Sequence, residues 1–202
     1  MINDNIRVYA NHGCLKEETA INADFGITSE LSFSKLSGTV FYRQLDNAIV
    51  MIYDSRGIGR AENIAKAVVG GIELQASQDL MHWWSTALKV TLQKSEDKSQ
   101  IPSSRGNPLP GQYENKVSVI NTLRINRLAF LLEYEHLSNG NYDSGAAAAL
   151  RASNQYHFSI KHEFNSHRLE FQIKNLGDQR VEYFNRFPGP GRRAFITYTH
   201  HF

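Results

Sequence analysis

Cysteine is almost absent from this chain: Cys14 is the only one in 202 residues. A single thiol rules out a disulfide framework and a cysteine-based metal cluster. Long apolar runs are missing as well. Hydrophobic residues make up 41% and the mean hydropathy is −0.42. No segment approaches the roughly 18–20 consecutive apolar residues that a membrane-spanning helix needs. Neither sign of charge is in excess. Lys and Arg total 22 against 20 for Asp and Glu, a net charge of +2, so there is no electrostatic case for a nucleic-acid partner. The opening residues Met1-Ile2-Asn3-Asp4-Asn5 hold neither a basic patch nor an apolar core, and they do not read as a secretory leader. Proline is scarce and confined. Pro102, Pro108, Pro110, Pro188 and Pro190 fall in two polar stretches and never in an alternating segment, as a fully paired sheet requires.

What the chain has instead is period-2 alternation over most of its length. The clearest run is Arg168-Leu169-Glu170-Phe171-Gln172-Ile173-Lys174, where odd positions are large and apolar and even positions are charged or amide. Before it, Tyr156, Phe158, Ile160, His162 and Phe164 alternate with His157, Ser159, Lys161 and Glu163, and Asn165-Ser166 separates the two runs as a tight turn. Further runs carry Leu128, Phe130, Leu132 and Tyr134; Leu88, Val90 and Leu92; and Ile72, Leu74 and Ala76. Noisier alternation around 21–28, 38–52 and 116–125, with the closing segment, brings the count to about nine strands. The connections alternate in length. Short turns fall near 29–34, 79–82, 126–127 and 165–166, and long polar ones near 54–59, 96–111, 138–150 and 177–191. Short turns at one end and long loops at the other are the pattern of an outer-membrane barrel. A soluble antiparallel barrel or sandwich carries the same alternation, as core against water.

The end of the chain favours lipid. In 192–202, Ala194, Ile196, Tyr198, His200 and Phe202 share one face, and Phe195, Thr197, Thr199 and His201 share the other. A soluble domain usually trails off in a polar tail. A strand that stops on an aromatic is the closing seam of a transmembrane barrel. Trp83 and Trp84 follow a short turn, where an interfacial aromatic girdle sits. In that setting Arg168, Glu170, Gln172 and Lys174 face the lumen. A one-residue slip would turn the two basic groups to lipid at roughly 2–4 kcal/mol each near the midplane. Bacterial single-chain barrels have even strand counts. An odd count without a leader sets the expectation that the chain begins partway round a larger barrel, on its extracellular side.

Four stretches carry a family likeness. They are Leu15-Lys16-Glu17-Glu18-Thr19-Ala20 with Asp24-Phe25-Gly26; 63–74, from Asn63 to Gly70-Gly71-Ile72-Glu73-Leu74; Lys174-Asn175-Leu176-Gly177-Asp178 with Tyr183; and Pro190-Gly191-Arg192 before a strand ending in Phe202. In order and spacing they resemble the C-terminal barrel of TonB-dependent outer-membrane receptors. Val68, Gly70, Gly177 and His200 depart from that family's usual residues. The resemblance implies an all-β, antiparallel transmembrane β-barrel, present as about nine strands of a barrel of about twenty-two. Residues 1–202 would form its C-terminal part, with plug domain and TonB box absent. It implies a receptor rather than an enzyme, taking up a metal chelate such as a ferric siderophore or cobalamin through the outer membrane of a Gram-negative bacterium. Implied partners are outer-membrane lipid, the chelate ligand, the barrel insertion machinery, and the TonB complex through the missing N-terminal region. A fragment of this kind is expected not to transport alone. Two alternatives remain at this point: a self-contained eight-stranded outer-membrane barrel with a structural or adhesive role, and a soluble lipocalin-like binder.

The candidate sites follow from that frame. Tyr198 and Phe202 are the expected assembly signal. The loops at 103–111 and 183–190 are the expected ligand-facing surfaces, and Tyr142 lies in a third. Arg105, Tyr142, Phe184 and Arg186 are their candidate contacts, because aromatic and guanidinium groups suit an anionic or catecholate ligand. Glu133 and Glu135 share a strand face and read as lumen-facing charge rather than a catalytic pair. No cofactor and no metal site is expected. Residues 139–145 lack the full spacing of a calcium loop, and the adjacent His200 and His201 point to opposite faces, so they cannot chelate one ion together.

Overall fold

The computed structural model of the chain describes residues 15–53, 59–63, 66–99, 102–142, 149–184 and 187–201. The described residues hold strands, turns and bends but no helix. The strands are β1 (Thr19–Leu31), β2 (Ser34–Asp46), β3 (Ile49–Tyr53), β4 (Gly59–Asn63), β5 (Lys66–Met81), β6 (Trp84–Asp97), β7 (Tyr113–Ile125), β8 (Leu128–Gly140), β9 (Ser153–Phe164), β10 (His167–Lys174), β11 (Glu182–Phe184), β12 (Phe187–Pro188) and β13 (Arg193–His200). Nine of them form one antiparallel sheet in the order β1-β2-β5-β6-β7-β8-β9-β10-β13. The other four form two small hairpins, β3 with β4 and β11 with β12. These extend two of the long connections, so the main sheet is a simple up-and-down meander. A 13-residue strand such as β8 runs roughly 43 Å. At a tilt near 45° it rises roughly 30 Å, the thickness of a bilayer's hydrocarbon core.

The alternating stretch around 38–52 is not one strand. β2 stops at Asp46, Asn47 turns the backbone with φ of 56°, and Ile49–Tyr53 then pairs with Gly59–Asn63 instead of continuing in the sheet. Period 2 runs on through a bend that only the Asn marks. At the opposite end Asn126 (φ 55°) and Asn165 (φ 53°) occupy the left-handed region in the two-residue turns before β8 and β10. Asn tolerates that conformation better than other side-chain-bearing residues, so both turns close tightly.

The register puts the two residue classes on opposite faces. Reading across the ladder, Ser118, Glu135, Gln155 and their row share one face; Val119, Tyr134 and Tyr156 share the other. The polar face is the shielded one. On it Ser118 is 3% exposed and Ser153 and Ser159 are each 1% exposed, while on the apolar face of the same central strands Leu132 and Tyr156 are each 47% exposed. This inverts the order of a soluble protein, whose greasy face is covered. A sheet curled with its polar side inward crowds the inner side chains and spreads the outer ones. We therefore call the polar face inner and the apolar face outer. The outer face presents Ile21, Val40, Leu74, Leu88, Leu132, Leu169 and Phe171, all exposed. Continued by Leu123, Tyr156 and Ile196 on the other three strands, these form an apolar area far beyond the few hundred Å² that a water-soluble surface usually tolerates.

Inner charges are satisfied across strands. Lys116 Nζ lies 3.0 Å from Glu135 and Lys161 Nζ 3.7 Å from Glu170. Arg168 reaches Glu163 at 2.7 Å, and Ser118 Oγ donates to Glu133 at 2.7 Å. The outer face has aromatic residues toward both strand ends. Toward the loops stands Tyr156, the fourth residue of β9, its ring tilted against that of Tyr134, midway along β8, at 5.2 Å. Near the turns stand Trp83 and Trp84, 6.2 Å apart; Trp84 begins β6, and Trp83 sits in the preceding turn. With apolar residues between, this is the layering a bilayer imposes. β1 and β13 end the sheet without pairing to each other. The sheet is open, with nine strands rather than a closed eight.

Candidate functional site at the loop end

The long connections all leave the same end of the sheet, and there the chain packs most densely. In the connection 98–112, buried Asp97 is the anchor. Its Oδ1 accepts from Ser99 N at 2.6 Å, its backbone carbonyl accepts from Gly106 N at 2.7 Å, and its own N–H donates to Asn107 O at 2.8 Å. Ser99 and Ser104 are buried beside it with their hydroxyls 3.3 Å apart. Gly106 closes the turn with φ of 84°, where a side chain would be strained. Arg105 is thereby held at the exposed crest of this turn.

The next connection rests on an apolar cluster of Tyr113, Leu137 and Leu150, with Tyr142 packed against it. Tyr113 Oη donates to Arg151 O at 3.0 Å, and Leu150 N donates to Gly140 O at 2.8 Å. Gly140 is required by close approach: a Cβ there would meet Gln112 O at 2.3 Å and Leu150 Cδ1 at 2.7 Å. Tyr142 is therefore half-buried, so part of its ring supports the loop.

In the last connection Asn175 is buried, with φ of 52°. Its side chain clasps one residue from both sides: Nδ2 donates to Gln179 O at 2.8 Å and Oδ1 accepts from Gln179 N at 2.9 Å. Its backbone N donates to His157 Nδ1 at 3.0 Å, which fixes that nitrogen as the unprotonated one. Asp178 Oδ1 then accepts from Arg192 N at 2.7 Å, tying the loop to the start of β13. Phe184 lies on β11, whose partner across the ladder is Phe187. Arg186 lies outside the described residues.

The structure thus brings Arg105, Tyr142 and the backbone of Phe184 to one end, on three different connections. Tyr198 stands at the other end of the sheet, exposed on the outer face near the end of β13, with its hydroxyl 2.7 Å from His167 Nδ1. Phe202 lies outside the described residues. Glu133 and Glu135 each already hold a separate partner, Ser118 and Lys116. Among the described residues no group of three or more His, Cys, Asp or Glu is gathered as a metal centre. Sequence reasoning missed the Asp97 anchor and the Asn175 clasp. Asn175, two residues before a Gly-Asp pair, carried a turn signal, but nothing local gave its burial.

A family model described as TonB dependent receptor-like, beta-barrel, matches residues 3–183. The chain belongs to this family. Solved structures agree on the fold. The open sheet described above is similar to the ferric yersiniabactin uptake receptor FyuA from Yersinia pestis, with a TM-score of 0.63 at 18% identity over 89% of this chain and 28% of that one. It is similar to the copper transporter OprC, with a TM-score of 0.72 at 16% identity over 94% of this chain and 33% of that one. It is also similar to the unliganded ferric citrate transporter FecA, with a TM-score of 0.68 at 16% identity over 89% of this chain and 30% of that one. The chain spans about a third of the length of these structures. No curated protein sequence matches it. The open nine-stranded sheet is accordingly a partial receptor barrel.

Proposed function

We propose that this chain is the C-terminal barrel wall of a TonB-dependent receptor in a Gram-negative outer membrane, and that the whole receptor takes up a metal chelate such as a ferric siderophore or cobalamin. The observation that carries the reading is the inverted sheet: on the central strands the polar row is the shielded one and the apolar row the bare one. Lipid is the partner that suits the outer row, and a hydrated or plugged lumen suits the inner one. The loop end faces the ligand, with Arg105, Tyr142, Phe184 and Arg186 as its contacts. Tyr198 and Phe202 serve recognition by the barrel insertion machinery. Contact with TonB is assigned to a segment outside this wall. The reaction is binding and passage, with no catalytic step.

Two measurements test this. The full chain is folded into bilayers of brominated phospholipid and the fluorescence of Trp83 and Trp84 is followed. Quenching is expected; a chain that stays monomeric, folded and unquenched in plain buffer sinks the membrane reading. Phe171→Lys puts a charge on the outer face. It is expected to cost roughly 2–4 kcal/mol of folding in the bilayer if it lies near the midplane, whereas on a water-facing strand it would be close to neutral. For the loops, a ferric catecholate siderophore is titrated against the chain and against Arg105→Ala; equal binding by both removes Arg105 from the contact set.

A further inference from the structure

His167 opens β10, His200 closes β13, and the two are direct partners across the antiparallel ladder. Both share the outer face with Leu169, Phe171, Ile196 and Tyr198. Their rings stack with centroids 4.6 Å apart, and their Nδ1 atoms stand 3.2 Å apart. Two imidazole nitrogens bound to one divalent ion at about 2.0–2.1 Å each are separated by about 3.3 Å at a tetrahedral angle and about 2.9 Å at a right angle. The spacing in this structure falls between those values. The nitrogens already stand at a chelating separation, held by the backbone pairing beneath them, and rotating each stacked ring about its Cβ–Cγ bond turns both lone pairs onto one ion. Tyr198 Oη, 2.7 Å from His167 Nδ1, adds an oxygen at the same point.

We propose that His167 and His200 form a two-imidazole site for a divalent first-row ion, Zn(II) or Cu(II), which clips β13 to β10. Imidazole nitrogen suits both ions. Ligation through Nδ1 places the remaining proton of each ring on Nε2, so a neutral pair needs only a tautomer change and loses no proton. The site sits at the turn-end rim of the sheet, where the outer face meets water, so solvent and the Tyr198 oxygen complete the sphere. His201 takes no part, because adjacent strand residues point to opposite faces. His162 stands beyond the intervening Phe164 ring, which stacks on it at 5.2 Å and on His167 at 5.1 Å. The site lies on the outer face, away from the polar interior. It is therefore structural and does not rest on the uptake reading.

The test is a calorimetric titration of the full chain in detergent with Zn(II), alongside electron paramagnetic resonance at one equivalent of Cu(II). One ion per chain is expected, with nitrogen splitting from two imidazoles. His167→Gln and His200→Gln should each weaken binding by at least about tenfold, as removing a ligand costs no less than removing its support. His162→Gln and His201→Gln should leave affinity unchanged. Full affinity in both pair variants, or no saturable binding to the folded chain, overturns the site. Circular dichroism checks that each variant folds. Should one fail to fold, the wild type still decides: saturating Zn(II) must raise its unfolding temperature, and an unmoved transition counts against the proposal.

Discussion

The two ends of this sheet are built by different physics. At the turn end order comes from a repeated backbone bond. Asp79 N donates to Phe33 O at 2.9 Å, Arg124 N to Trp83 O at 2.7 Å, Glu163 N to Arg127 O at 3.0 Å and His201 N to Ser166 O at 2.9 Å. In each case the second residue of a two-residue turn accepts a backbone bond, in the first three from the hairpin that follows it and in the last from the residue just past β13. At the loop end no such repeat exists. Each connection has its own device: a carboxylate anchor at Asp97, an apolar cluster at Tyr113, Leu137 and Leu150, and an amide clasp at Asn175. A framework that repeats need be specified only once, and one end can stay uniform while the other carries individual loops. That division suits a receptor, whose binding residues belong on loops over a rigid scaffold.

The contrast predicts a ranking of damage. The largest effect belongs to Gly140→Val, since even a Cβ would collide with the Gln112 carbonyl and Leu150. It should cost roughly 1–3 kcal/mol or more by forced displacement. Limited proteolysis should show cleavage near 142–150 while the turn end stays resistant. Asn175→Ala removes two hydrogen bonds to the half-buried Gln179 backbone, at about 0.5–1.5 kcal/mol each, with faster hydrogen exchange expected at Gln179. At the turn end Asn165→Ala keeps the turn but strains its left-handed backbone, at about 1–2 kcal/mol; the denaturation midpoint should fall without new protease sites. The smallest effect is Arg168→Gln. Its partner Glu163 is mostly exposed, so the loss should be about 0.2–1 kcal/mol and should vanish in high salt. Were Asn165→Ala to open the loops, or Gly140→Val to loosen the turns, the two ends would not be independent.

How much of this was legible in the sequence depends on how local the cause is. The runs at 156–164 and 168–174 gave strands, faces and the turn between them, because period 2 and an Asn sit within a few residues. The turn and loop ends were legible for the same reason. The bend at Asn47 was not, since alternation continues through it. The loop-end devices were illegible because their partners are set by strand register: Asn175 meets His157, a residue 18 positions away. The histidines show this most sharply. In sequence His200 stands beside His201, which points the other way, while its ring partner His167 lies 33 positions earlier. Among the candidate residues, the exposed turn that carries Arg105 was readable from Ser-Ser-Arg-Gly-Asn. The half-burial of Tyr142 was not, because Leu137 and Leu150 reach it only through the fold.

The staggered turn carbonyls have a consequence for how the wall is laid down. A correctly seated hairpin leaves one acceptor waiting at its tip, and only the neighbour in proper alignment can reach it. A neighbour displaced by two residues keeps its greasy side outward yet misses that acceptor. Side-chain polarity therefore rejects odd misalignments, and the waiting oxygens reject even ones, so the growing seam proofreads itself at each added pair.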